Sequence, residues 1–157
     1  MRCGPAAESG QVGDGRIGVR QAFTQLPVAT RGKGLYEITA QIQNWLIEQG
    51  IQNGLLTVFI RHTSASLTIQ ENADPDVVRD LEAFFSRLVP ENDALYVHTT
   101  EGPDDMPAHV RTALTQTSLG IPVIGGRMAL GTWQGIYVFE HRRGGHKRGV
   151  VLQVLGE

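Results

Sequence analysis

The stretch Ile121–Glu157 reads IPVIGGRMALGTWQGIYVFEHRRGGHKRGVVLQVLGE, and it decides the fold class. Apolar runs at Ile121–Ile124, Met128–Leu130, Gln134–His141 and Gly149–Leu155 are separated by two glycine pairs, Gly125-Gly126 and Gly144-Gly145. A glycine pair between β runs is a hairpin signal, because tight hairpin turns need residues that tolerate positive φ. Working outward, Ile17–Leu26 supports a strand, and Leu35, Ile38, Ile42, Trp45 and Leu46 recur at helical spacing up to a stop at Gly50. Leu55–Ile60 reads as a buried strand, with Thr63–Ile69 as its partner or continuation. Asp74 caps a second helix opened by Pro75, and Val77, Val78, Leu81, Phe84, Phe85 and Leu88 give it an apolar face before Pro90. Leu95–Thr99 is a further strand candidate. Asp104 or Asp105 caps a third helix, with Pro107 in its first turn. Helices and strands do not alternate regularly, so the expected class is α+β: one domain with about three helices on an antiparallel or mixed sheet.

Length and composition agree. The chain has 157 residues, 41% hydrophobic and 19% charged, which suits one globular domain. Its formal net charge of −2 excludes a basic nucleic-acid footprint overall. The single cysteine, Cys3, excludes an intramolecular disulfide and a cysteine-rich zinc module. No apolar run approaches the ~18 residues of a membrane-spanning helix, and the start of the chain lacks the apolar stretch of a signal peptide. A cytoplasmic setting is the expectation. Residues 1–16 are glycine-rich without periodicity and read as a mobile arm, leaving 17–157 as the domain.

Chemistry-bearing residues fall into three segments. The first joins Arg61-His62-Thr63-Ser64 to Glu71-Asn72-Ala73-Asp74, so that a strand end and a helix start bring His62, Ser64 and Asn72 forward as candidates. No Gly-x-Ser-x-Gly elbow surrounds the serine, which argues against a hydrolase nucleophile. The second runs from His98 to His109 and holds two histidines with Glu101, Asp104 and Asp105. Imidazole and carboxylate suit Zn²⁺ and similar ions, and His109 lies one helical turn beyond Asp105. His98, Asp105 and His109 are therefore the candidate ligands of a divalent metal, Mg or Zn, or else caps beside a loop histidine. The third segment places Arg142, Arg143, Lys147 and Arg148 around the second glycine pair, where they could hold a phosphate or simply keep a turn solvated.

Three motifs in order make the chain resemble the YjbQ-like family. They are His62–Ile69 followed by Glu71–Val77, then Glu101–His109, then Gly126–Tyr137. One departure is Thr99, where family members often carry an acidic residue after the histidine. The resemblance implies compact α+β subunits that assemble as homotrimers, and secondary thiamine-phosphate synthase activity. That reaction joins aminopyrimidine methyl pyrophosphate to thiazole phosphate and releases pyrophosphate, which needs a metal or clustered cations on the leaving group. Two other readings stand beside this transferase: a metal-dependent hydrolase of a small anionic metabolite, and a non-catalytic trimeric ligand-binding protein. The partners expected are thus a small phosphorylated metabolite and further copies of the chain, with no nucleic acid and no membrane. His62, His98 and His109 are expected to converge on one cleft, with Asn72, Asp74 and Asp105 nearby.

Overall fold

The computed structural model describes residues 18–92 and 94–157, so the arm assigned to 1–16 lies outside the described residues. The elements run in the order β1 (Arg20–Ala29), β2 (Gly34–Glu37), α1 (Thr39–Gln49), β3 (Asn53–Ile60), β4 (Ala65–Glu71) and α2 (Pro75–Leu88). They continue with α3 (Asp105–Leu114), β5 (Ser118–Ile124), β6 (Arg127–Met128), β7 (Gln134–Glu140) and β8 (Lys147–Gly156). Two antiparallel sheets result, one ordered β1-β8-β3-β5-β6 and the other β2-β7-β4. The class is α+β in a single domain.

Strand periodicity explains the layers. In β8, Arg148, Val150, Leu152 and Val154 are buried and alternate with more exposed residues. The inward rows of β8 and β3 meet Leu67, Ile136 and Val138 of the smaller sheet, and Ile42 and Leu46 of α1 close the same core. β7 is buried from Gly135 to Glu140 on both faces, as a central strand between two layers must be. Its other face meets the helices, where Phe139 and Phe85 of α2 make an edge-to-face pair with centroids 5.3 Å apart.

Several boundaries differ from the sequence expectation, each for a visible reason. The first strand runs to Ala29, and its Pro27 is tolerated because β1 is an edge strand among the described residues, paired there with β8 alone. Leu35 and Tyr36 are not helical. They pair with Phe139 and Val138 across β2 and β7, and α1 starts only at Thr39, whose hydroxyl accepts from the Ile136 N–H at 2.8 Å. Gly50 ends α1 in the left-handed conformation, as expected. Asp74 caps α2 through the Asp76 N–H at 2.9 Å, but that helix buries no residue fully, and Phe84 and Leu88 remain exposed.

Leu95–Thr99 is not a strand. Its period-two pattern is present with the polarity reversed: Leu95 and Val97 face outward at 86% and 97% exposure, while Tyr96 is half-buried. The two glycine pairs also part ways. Gly125 and Gly126, both at positive φ, close the β5–β6 hairpin. Gly144-Gly145 closes no hairpin, because β7 and β8 belong to different sheets. That turn docks on Thr30, whose N–H donates to the His146 carbonyl at 2.9 Å, and a Cβ on Gly145 would stand 2.7 Å from the Thr30 oxygen.

The tightest approach in the larger sheet is Gly54 against Gly156, where a Cβ on Gly54 would fall 2.2 Å from the Leu155 carbonyl oxygen. Because the obstacle is backbone, the strands must separate. Gly54→Ala is expected to cost about 1–3 kcal/mol. A thermal scan should show a midpoint lowered by roughly 3–10 °C for a chain of this size.

Candidate functional site

The site is built on the first turn of α3. Asp104 occupies the cap position but does not cap its own helix. Its carboxylate accepts instead from the Arg142 Nε–H at 3.0 Å and the Arg143 backbone N–H at 2.9 Å. Burial pushes this carboxyl up, and those two donors outweigh it and hold the group below the ordinary aspartate range. Asp105, 2% exposed, places Oδ2 2.7 Å from His98 Nε2 and 3.3 Å from His109 Nε2, while Oδ1 bonds the Arg142 guanidinium. The two imidazole centroids are 5.6 Å apart. One donor atom from each of His98, Asp105 and His109 lies within 4.8 Å of the others.

The tautomer of His109 follows from its surroundings. Its Nδ1 lies 3.0 Å from the Thr63 carbonyl oxygen, which can only accept, so Nδ1 carries the hydrogen. In the neutral ring Nε2 is then a lone pair aimed at a carboxylate oxygen. Two acceptors so close require a cation or a proton between them. An imidazole oriented by a carbonyl, together with a carboxylate oriented by an arginine, is what a divalent ion of the zinc type needs.

A second polar cluster lies behind the first. Glu140 is fully buried and takes Arg148 Nε–H at 2.7 Å, the Thr30 hydroxyl at 2.8 Å and the Arg142 backbone N–H at 3.0 Å. Burial raises its pKa, but Arg148, the Arg142 N–H and Thr30 more than reverse this. His62 accepts at Nε2 from the Gly149 N–H at 2.8 Å, with Arg148 3.4 Å from Nδ1. Burial and then the charge of Arg148 lower its pKa. His62 and His109 share the wall of a groove of about 430 Å³ with Thr63, Thr112, Thr115 and Thr117.

The sequence candidates therefore separate. His98, Asp105 and His109 come together, and His62 reaches the His109 side of the same rim. Ser64 stands beside His62, its carbonyl accepting from Arg148 at 3.3 Å. Asn72 and Asp74 do not join them, because β4 runs the other way from Ser64 and carries Asn72 to its far end, roughly 20 Å on. There the Asn72 amide donates to Glu37 at 3.4 Å. The basic segment is no open cation cluster either. Arg148 is 4% exposed and held by Glu140, Arg142 holds Asp104 and Asp105, and the Arg143 guanidinium bonds Glu91. Arg148 is thus a structural partner rather than an anion-binding side chain. Lys147 is exposed, with no ion pair among the described residues.

Sequence reading missed Glu140, Thr30 and His141. The available signal was a carboxylate closing the apolar run of β7 with arginines close behind it. His141 is buried, bonds the Ser66 hydroxyl at 2.9 Å and stacks near Phe139, with its Nδ1 unpartnered. Burial first, and the nearby Arg111 second, push its pKa down to about 3. An unfolded chain therefore takes up this proton near pH 6.5 while the folded one refuses it to about 3. Stability falls as the pH drops through that window, by about 2 kcal/mol between pH 6.5 and 5 from this group alone. Urea unfolding across that range should show the slope, and His141→Gln, which cannot take the proton, should flatten it.

Comparison with known proteins agrees with the fold and the motifs. The family model described as UPF0047 protein YjbQ-like matches residues 24–157. A UPF0047 protein of Synechocystis is 55% identical over 138 residues, covering 88% of this chain and 94% of that protein. YjbQ of Escherichia coli is 44% identical over 133 residues, covering 84% of this chain and 96% of that protein. Among solved structures, a YbjQ-like protein of Sulfolobus solfataricus shares the fold with a TM-score of 0.82 at 23% identity, covering 89% of this chain and all of that one. A YjbQ/UPF0047 protein of Clostridium acetobutylicum has a TM-score of 0.76 at 32% identity, over 83% of this chain and 98% of its own. With the match spanning nearly all the described residues, the chain belongs to the YjbQ-like UPF0047 family.

Proposed function

We propose that this protein is a metal-dependent enzyme acting on a small phosphorylated metabolite, with one divalent ion held by His98, Asp105 and His109. The observation that supports it is the convergence of His98 Nε2 and His109 Nε2 on one oxygen of the Asp105 carboxylate, at 2.7 and 3.3 Å, with all three ligand atoms within 4.8 Å of one another. Two imidazoles and one carboxylate favour Zn²⁺ over Mg²⁺, which prefers oxygen ligands. Three protein ligands also leave a coordination position open, the mark of catalytic rather than structural sites. When bound, such an ion acts as a Lewis acid on a substrate oxygen and lowers the pKa of a coordinated water.

The chain's own groups have defined parts in this scheme. The Thr63 carbonyl fixes the tautomer of His109, and Arg142 fixes the rotation of Asp105. Of the groove's hydroxyls, those of Thr112 and Thr115 are spent on the Ala108 and Arg111 carbonyls, which leaves those of Thr63 and Thr117 for a bound group. Of the two reactions expected, this donor set favours hydrolysis. Thiamine-phosphate synthesis puts more charge on its leaving group, a pyrophosphate, and with Arg142, Arg143 and Arg148 engaged by carboxylates the ion alone would have to neutralise it. The test is zinc content together with phosphate release from small phosphate monoesters, before and after chelation. Purified protein should carry about one zinc per chain, and His98→Ala or His109→Ala should abolish both metal and turnover. Stable pyrophosphate release from the two thiamine precursors by chelated protein would overturn hydrolysis in favour of the transferase. Metabolite binding without either turnover would leave a binding protein.

A second part of the proposal concerns assembly. The outward face of the larger sheet exposes Phe23, Leu55, Phe59, Ile124 and Leu155, a row that supports burial against further copies in a homotrimer. No helix among the described residues is long and apolar enough to cross a membrane. We place the assembly in the cytoplasm. Sedimentation should give about three times the 17.1 kDa of one chain, and Phe23→Lys with Phe59→Lys should dissociate it. A wild-type monomer at micromolar concentration would overturn the trimer.

A further inference from the structure

His98 has two sides. One ring edge meets Asp105, and the other side forms the wall of a separate cavity of about 250 Å³. The remaining wall comes from Asn92, Tyr96, Thr99, Gly102 and Pro103 of the segment before α3, and from Met106 in its first turn. The reversed polarity of this segment is what makes the cavity. Leu95 and Val97 turn outward, so that the Tyr96 ring and His98 line the inside.

The lining decides what the cavity can hold. No Lys, Arg, Asp or Glu contributes to it among the described residues. A phosphate placed there would lose hydration without gaining a cation, which is costly. The walls instead offer a tyrosine ring, a proline ring and a thioether, and methionine sulfur makes favourable contacts with aromatic rings. The Asn92 amide and Thr99 hydroxyl add a few neutral hydrogen-bonding groups. Size is equally selective. An apolar cavity of about 150 Å³ accommodates benzene. A space of about 250 Å³ therefore has room for one ring with its substituents. The groove with His62 lies on the His109 side of the same three ligands.

We propose that the cavity walled by Tyr96, His98 and Met106 binds the uncharged, single-ring part of the substrate. The inference rests on the metal-centre reading for the position of the reacting bond, but the ring site itself stands on its lining and volume. It makes Met106 and Tyr96 the residues that determine specificity. The substrate class is narrowed to phosphate esters of a small cyclic alcohol.

The test uses full-length protein labelled with [methyl-¹³C]methionine, loaded with zinc and titrated with phenyl phosphate, methyl phosphate and phenol. Phenyl phosphate and phenol should shift the Met106 methyl signal saturably and leave that of Met128, a residue of the core, unmoved. Methyl phosphate, which has the anion and no ring, should leave Met106 unmoved. Met106→Trp, which fills the cavity, should weaken phenyl phosphate at least tenfold while zinc stoichiometry is retained. Tyr96→Ala, which removes a wall, should weaken it as well. Equal responses to methyl and phenyl phosphate, no saturable shift with either ring compound, or unchanged affinity in both variants would overturn the proposal. Absence of zinc from the protein, with the Met106 response to phenol intact, would overturn the metal reading and leave the ring site standing.

Discussion

A buried carboxylate with no free hydrogen-bonding capacity organises this molecule. Glu140 sits at the end of β7, fully inaccessible, and an unpaired charge there would be untenable. Arg148 satisfies it from β8 through two guanidinium nitrogens, Thr30 adds its hydroxyl, and the Arg142 backbone N–H completes the set. These partners come from three places in the chain: the end of β1, the turn after β7 and the start of β8. The requirement to satisfy one carboxylate thus ties the two sheets together where the chain passes between them. It also explains why the Gly144-Gly145 turn hugs Thr30 instead of closing a hairpin.

The candidate metal centre inherits its rigidity from that tie. With its backbone held by Glu140, Arg142 projects its guanidinium onto Asp104 and Asp105, and Asp105 meets both histidines. From the other direction His109 is fixed by the Thr63 carbonyl, one residue from His62, whose ring returns to Arg148. The polar contacts therefore form a closed circuit through both sheets and α3. Such outer contacts orient ligands and tune their basicity, which is why a loop histidine and the first turn of a helix can hold metal-ligand geometry.

The two faces of the centre differ in chemistry because the elements flanking α3 differ. On the His109 side stand α3 and the segments around Thr63 and Thr117, and they present an imidazole and threonine side chains. On the His98 side the wall is the irregular segment before α3, which presents rings and a thioether. Irregular segments on a rigid frame commonly carry specificity, since their side chains are not committed to a core.

Much was legible in the sequence alone. Apolar periodicity and glycine pairs identified the α+β class and most elements, because period and turn chemistry are local properties. Asp105 and His109 could be read as neighbours because one helical turn separates them, and the Asp74 cap and the Gly125-Gly126 hairpin were equally local. What needed the tertiary structure was everything settled by partners distant in the chain. Period two at Leu95–Thr99 marks two unlike faces without saying which is inside. Four clustered cations look alike until Glu140, Glu91 and the Asp104–Asp105 pair claim three of them. Ser64 and Asn72 look close in sequence, yet an extended strand carries them to opposite ends, whereas His98 and Asp105, seven residues apart, share a bond because the chain turns between them. Local spacing determines helices, caps and turns. Which charge is buried, and against what, is decided only by how the layers meet.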